Sequence, residues 1–175
     1  MITVTLIAAQ SIDGFITRND EPGTAFCSKE DQEYFFKALK SFDSLIMGRK
    51  TYELSKGAIH SSRATNRLRK IWTREPELWK ANEILESVEF TADQPKAILE
   101  ELENRGSREC VLLGGSELYT AFLERELVDR MFITVEPRLF GSGKKLATRE
   151  ISSQFALEET VQLSTNVLLL KYRKN

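Results

Sequence analysis

Between Glu109 and Phe122 the chain reads Glu-Cys-Val-Leu-Leu-Gly-Gly-Ser-Glu-Leu-Tyr-Thr-Ala-Phe, and no other stretch constrains the fold as tightly. Cys110 to Leu113 is a short apolar run of the kind shown by a strand buried on both faces, whereas Leu118, Tyr119, Phe122 and Leu123 recur at helical spacing. Gly114 and Gly115 therefore stand where strand becomes helix. Without a Cβ the backbone turns tightly and a ligand can approach it, and the free N–H groups of the next helix's first turn favour an anion. The stretch proposes a phosphate site, although a purely structural turn uses the same residues.

The pattern recurs. Ser44 to Met47 reads as a buried strand, followed by Gly48-Arg49-Lys50-Thr51 and the helical-looking Tyr52-Glu53-Leu54; here Arg49 and Lys50 add positive charge to the junction. Lys70 to Arg74 resembles another strand, stopped by Glu75-Pro76, with Thr73 and Arg74 at its carboxyl end. Ile2 to Ala9 is a first strand whose apolar Ile7 suggests a central place in the sheet, and the polar loop from Ser11 to Gly23 is long enough to lie over a pocket. Ser28 with Asp31 fits a helix N-cap and an acidic first turn, and Tyr34, Phe35, Ala38 and Leu39 carry that helix to about Lys40.

Further on, Val88 to Phe90 is a short strand, Pro95 opens a helix through Leu102, and Met131, Ile133 and Val135 alternate in a strand from Val128. Phe155 to Leu157 and Val167 to Tyr172 are neighbouring strands, which favours an antiparallel pair, whereas the earlier strands alternate with helices and favour parallel pairing. The fold expected is α/β: a mixed, mostly parallel central sheet flanked by helices, with a C-terminal antiparallel strand pair. Residues 56–69 are polar and weakly periodic, which leaves their structure open, and His60 within them reads as a surface residue.

The chain has 175 residues, 41% of them hydrophobic, and no Pro/Gly/Ser-rich linker, which predicts one domain over residues 1–175. A net charge of −1 with interspersed signs argues against nucleic acid as a partner. The alternating amino terminus without a basic leader, and the lack of an apolar run near the ~20 residues of a membrane span, predict a cytoplasmic protein without a membrane partner. Cys27 and Cys110 lack metal-ligand spacing and His60 is the sole histidine, so no metal site is expected and both cysteines read as reduced thiols.

In an α/β sheet the loops after parallel strands gather at the carboxyl edge. Ala8 and Ala9, Gly48 to Thr51, Thr73 and Arg74, and Gly114 to Ser116 would then line one crevice, and their convergence suggests a dinucleotide.

Three motifs, Ala8-Ala9 before Ser11-Ile12-Asp13-Gly14, Leu45-Ile46-Met47-Gly48-Arg49-Lys50-Thr51-Tyr52-Glu53, and Leu113-Gly114-Gly115-Ser116-Glu117-Leu118-Tyr119, give the chain a resemblance to the dihydrofolate-reductase-like superfamily. Within it, the Ser-Ile-Asp-Gly turn and the loop Val135-Glu136-Pro137-Arg138-Leu139-Phe140-Gly141-Ser142-Gly143 are closest to the C-terminal reductase domain of riboflavin-biosynthesis deaminase-reductases. The resemblance implies NADPH as cofactor, with Gly48, Arg49, Lys50 and Thr51 meeting its phosphates, Thr73 and Arg74 the adenosine 2′-phosphate, Gly114, Gly115 and Ser116 the pyrophosphate, and Ala9 and Glu117 also among the cofactor-binding residues. It also implies a small-molecule substrate and suggests a homodimer.

The riboflavin-pathway reductases usually carry a lysine and a glutamate where this chain has Ile7 and Leu113, as a dihydrofolate reductase would have them. Ungapped alignment from Met47-Gly48-Arg49 sets Gln32, flanked by Asp31 and Glu33, where a dihydrofolate reductase places its acid. The reading is an NADPH-dependent reductase of the riboflavin-biosynthesis type, acting on a small heterocyclic or ribosylamino substrate. The alternatives are dihydrofolate reductase or a nucleotide-binding module without catalysis. Asp13 and Asp31 are the candidate proton donors, Asp13 the better of the two because it leaves the central first strand next to Ala8-Ala9, and Thr134, at a strand end, is a candidate substrate contact.

Overall fold

The structure, a computed structural model, describes residues 1–19, 21–61 and 67–175. Its strands are β1 (Thr3–Ser11), β2 (Ser44–Gly48), β3 (Leu68–Trp72), β4 (Val88–Thr91), β5 (Glu109–Leu112), β6 (Arg130–Glu136), β7 (Phe155–Ser164) and β8 (Val167–Lys174). The helices are α1 (Lys29–Ala38), α2 (Arg49–Ser61), α3 (Pro95–Asn104) and α4 (Ser116–Leu123), with 3-10 turns over Leu39–Ser41 and Pro76–Asn82. All eight strands form one sheet in the order β4-β3-β2-β5-β1-β6-β8-β7. Pairing is parallel from β4 to β6 and antiparallel for β6/β8 and β8/β7, the mixed sheet with a C-terminal antiparallel pair that the pattern predicts.

Central position explains the apolar runs. β5 lies between β1 and β2, so Cys110, Val111 and Leu112 meet helices on both faces and are fully buried. On one face Val4, Leu6, Ile46 and Leu112 pack with Ile98 and Leu102 of α3 and Leu118 and Phe122 of α4. On the other, Ile7, Leu45 and Val111 pack with Phe35 of α1, while Met47 and Ile71 meet Tyr52 of α2. Ser28 caps α1 as its sequence suggests, its Oγ accepting the Asp31 N–H at 3.2 Å, and Pro95 occupies the first turn of α3.

Several boundaries differ from the sequence reading. β1 continues past Ala9 to Ser11 because β6 runs beside it, pairing Gln10 with Val135 and Ser11 with Glu136. β3 ends at Trp72, which leaves Thr73 and Arg74 just beyond the sheet. β7 extends to Ser164 although its residues are polar and largely exposed, since β8 supplies its pairing. Of residues 56–69, α2 takes those to Ser61 and β3 begins at Leu68, while 62–66 lie outside the described residues. His60 is exposed, with its Nε2 2.8 Å from the hydroxyl of buried Tyr52. No helix among the described residues is long and apolar enough to cross a membrane.

Candidate functional site

The two glycine junctions touch. β2 and β5 end side by side, and the Gly48 N–H donates to the Gly114 carbonyl at 2.6 Å. A Cβ on Gly48 would stand 3.4 Å from both Gly114 O and Gly115 N, which leaves no room for a side chain larger than a methyl group pointing that way. Gly114 has φ +96°, a conformation that disfavours other residues, and its peptide bond to Gly115 is cis. Tyr119, one turn into α4, braces the junction by donating its hydroxyl to the Ile7 carbonyl at 2.6 Å; burial pushes that phenol up from its ordinary range.

A cavity of about 490 Å³ opens at this carboxyl edge. Ala8 and Ala9 at the end of β1, Thr51 of α2, and Leu113, Gly114 and Gly115 bound it from the sheet side, with Met47, Leu54, Ile7 and Phe35 making much of the wall apolar. The loop after β1 covers it through Ile16, Thr17 and the segment Pro22–Ala25, and Asp31 and Gln32 enter from α1. Nothing lies within 4 Å of a Cβ built on Gly115, so this glycine leaves open a backbone cradle at the cavity edge.

Of the residues proposed from sequence, the structure brings Ala9, Asp31, Thr51, Gly114 and Gly115 to the cavity. Gly48 lies directly behind Gly114. The others lie outside its lining. Arg49 pairs with Glu53 and sits over the Trp79 ring, 5.7 Å from its centroid. Lys50 and Arg74 are exposed, and Thr73 stands where β3 ends beside β2, its Oγ1 accepting from Glu75 N at 3.4 Å. Ser116 is buried and donates its hydroxyl to the Lys145 carbonyl at 2.7 Å, while Glu117 pairs with Arg149 at 3.4 Å. Thr134 is buried beside Ala9 in the β1/β6 register.

The two candidate acids part company. Asp13 is a clamp between loops: its carboxylate accepts from Ser11 Oγ at 2.5 Å and from the backbone N–H groups of Phe140 and Gly141 at 3.2 and 2.7 Å. The Ser11 hydroxyl, then the Gly141 N–H, hold it below the usual carboxylate value. Asp31 is 8% exposed and faces the cavity.

Two residues beside Asp31 escaped the sequence reading. Glu136, at the end of β6 and 1% exposed, accepts from Ser28 N at 2.8 Å and Ser28 Oγ at 2.9 Å, tying the start of α1 to the sheet. Cys27 lies against both carboxylates, and burial first, then the Asp31 charge, pushes its thiol well above the ordinary range. Glu136 carried no local signal in its loop-like Val-Glu-Pro context, and the one available for Cys27, its four-residue spacing to Asp31, is ambiguous without the distant Glu136.

The family model for the RibD C-terminal domain matches residues 2–169. Among curated proteins, an uncharacterised Bacillus subtilis protein, YyaP, is 27% identical over 157 residues, which cover 82% of this chain and 79% of YyaP. Among solved structures, a putative riboflavin biosynthesis protein from Shewanella sp. PV-4 superposes with TM-score 0.75 at 20% identity, covering 99% of each chain. RibD of Acinetobacter baumannii gives TM-score 0.80 at 19% identity, with all of this chain matched to 58% of that one.

Proposed function

The chain belongs to the RibD C-terminal domain family, and on that premise we propose that it is an NADPH-dependent reductase of the riboflavin-biosynthesis type, acting on a small nitrogen heterocycle. One observation carries the reading: the glycine junction and a buried carboxylate, Asp31, bound the same largely apolar cavity at the carboxyl edge of the sheet. The open cradle at Gly115 fits a dinucleotide backbone. Ala9, Thr51, Gly114 and Gly115 would hold the cofactor along the sheet edge, with Lys50 in the first turn of α2 and Thr73 and Arg74 just beyond β3 for its phosphates. Bound there, NADPH supplies the hydride. The chain's own work is to exclude water with the apolar wall and the loop after β1, to orient the heterocycle on that wall, and to present the Asp31 carboxyl group to a ring nitrogen as hydrogen-bond partner and proton source.

Dihydrofolate is the second reading of the substrate, favoured by the apolar Ile7 and Leu113 in the cavity wall opposite a buried acid. The test is NADPH oxidation by the purified chain with ribosylaminopyrimidine phosphates, pterins and dihydrofolate, alongside binding titrations of NADPH and NADH. The reading expects turnover with one of these classes and tighter binding of NADPH. Because a charge-assisted contact is worth roughly 1.5–3 kcal/mol, Arg74→Ala should weaken NADPH binding about tenfold or more and leave NADH unaffected. Saturable binding without turnover would identify a nucleotide-binding module, and equal affinity for the two cofactors would remove the assignment of Arg74.

A further inference from the structure

We propose that Cys27, Asp31 and Glu136 form a binding site for one borderline-soft divalent cation of the Zn²⁺ class. The site stands on its own geometry and does not depend on the reductase reading. The three ligand atoms, one sulfur and two carboxylate oxygens, all lie within 4.8 Å of one another. They come from three places in the fold: the residue before the α1 cap, the first turn of α1 and the end of β6. Each residue is at least nine-tenths buried, at 9%, 8% and 1% exposed.

The second, independent observation is the state of the Asp31 carboxylate. Among the described residues no N–H or O–H group donates to it, and no Lys, Arg or His side chain forms an ion pair with it or with Glu136; its side-chain partner is the Cys27 thiol, a hydrogen bond that a metal–sulfur bond would replace. Two carboxylates set together out of water without a cation are costly, and a divalent ion at their centre offsets that cost. Glu136 is already fixed by its two bonds from Ser28, which leaves its remaining lone pairs for a ligand.

Sulfur at about 2.3 Å and oxygen at about 2.0–2.2 Å from a tetrahedral ion place the ligands roughly 3.5 Å apart, so binding draws the three side chains closer around the ion. The adjoining cavity admits water as the fourth ligand. Binding forms a metal–sulfur bond and releases the Cys27 thiol proton to solvent, so affinity rises with pH. Asp31 as a metal ligand cannot also give a proton to a substrate, and the ion would act on any reductase activity as an inhibitor.

Co²⁺, a spectroscopic stand-in for Zn²⁺, tests the site on the reduced full chain. One equivalent should produce a near-ultraviolet thiolate-to-cobalt charge-transfer band that Zn²⁺ displaces. The band should vanish in Cys27→Ser, persist in Cys110→Ser, and need at least about tenfold more Co²⁺ in Glu136→Gln. A buried substitution can also unfold the chain, so the wild type alone provides a second readout: saturating Zn²⁺ should slow native-state alkylation of Cys27 at least about tenfold and leave Cys110 unaffected. Absence of the band in the wild type, its survival in Cys27→Ser, or alkylation of Cys27 indifferent to Zn²⁺ would overturn the proposal.

Discussion

The Gly48 N–H donates to the Gly114 carbonyl at 2.6 Å, so the strand-to-helix turns after β2 and β5 form one joint. The joint ties two glycine motifs far apart in sequence into one site: the bare Cα of Gly48 faces the Gly114-Gly115 backbone, while Gly114 leaves room for the Tyr119 hydroxyl.

The glycines of this joint should respond differently to substitution. Gly48→Val sets a branched side chain against Gly114 O and Gly115 N, already 3.4 Å from a Cβ, and should cost about 1–3 kcal/mol of stability as an overpacked contact. A Cβ on Gly115 meets nothing within 4 Å, so Gly115→Val should fold, yet lose NADPH affinity because the branched group fills the cradle. Chemical denaturation and cofactor titration on the two variants separate the roles; a Gly115→Val chain that binds NADPH normally would make this glycine purely structural.

The fold was legible where the signals are local. Apolar runs, glycine at strand ends and the Ser28 cap identify β1, β2, β5, α1 and α4 from their own residues. Features set by long-range pairing were not: β1 reaches Ser11 and β7 reaches Ser164 because partners lie beside them. The site divides in the same way. Ala9, Thr51, Gly114 and Gly115 follow from the topology, since carboxyl ends of central parallel strands must converge. Ser116 and Glu117 face Lys145 and Arg149, partners that no motif announces, whereas Arg49 pairs with Glu53 one helical turn on, a spacing the sequence did display. Glu136 meets Ser28 across 108 residues of sequence, beyond any periodicity argument.

Asp13 should matter for the cover over the cavity. Asp13→Ala removes the acceptor for the Phe140 and Gly141 amides, and both should exchange with solvent faster than in the wild type. Because its folded-state pKa lies below the ordinary 3.8, the Asp13 carboxylate stabilises the fold above that value and the contribution is lost as pH falls through the folded pKa. Thermal midpoints of wild type and Asp13→Ala should therefore differ at neutral pH and converge in strong acid. A constant gap across that range would mean that the charge is not what holds the loops.

A second acid-sensitive element lies away from the cavity. Lys70 of β3, 4% exposed, reaches Glu89 at 2.7 Å and Glu101 at 2.6 Å, and Arg105 joins both carboxylates. Burial raises the Glu89 carboxyl, but the hydrogen bonds from Lys70 and Arg105 outweigh it and the net shift is downward. Stability from this group is thus present above the ordinary 4.5 and declines as pH drops below it. Lys70→Ala should destabilise by about 3 kcal/mol, the low end for breaking a buried pair because the carboxylates remain partly solvated. Denaturation at neutral pH checks this, and a change below about 0.5 kcal/mol, the scatter of ordinary surface substitutions, would contradict it.

The proton is the sharpest test of the proposed chemistry. Asp13 holds two loop amides and stands outside the cavity lining, whereas Asp31 faces the cavity and receives no N–H or O–H donor among the described residues. Asp31→Asn keeps size and helix position but removes the acid, so NADPH affinity should be unchanged while turnover of the active heterocycle falls about 100-fold, within the range that general acid catalysis supplies. Asp13→Asn should leave turnover within a few-fold of wild type once folding is matched. If the large loss appears in Asp13→Asn instead, the loop clamp must open during the reaction and carry its carboxyl group to the substrate; if Asp31→Asn turns over normally, the proton reaches the ring from water and Asp31 serves only to orient it.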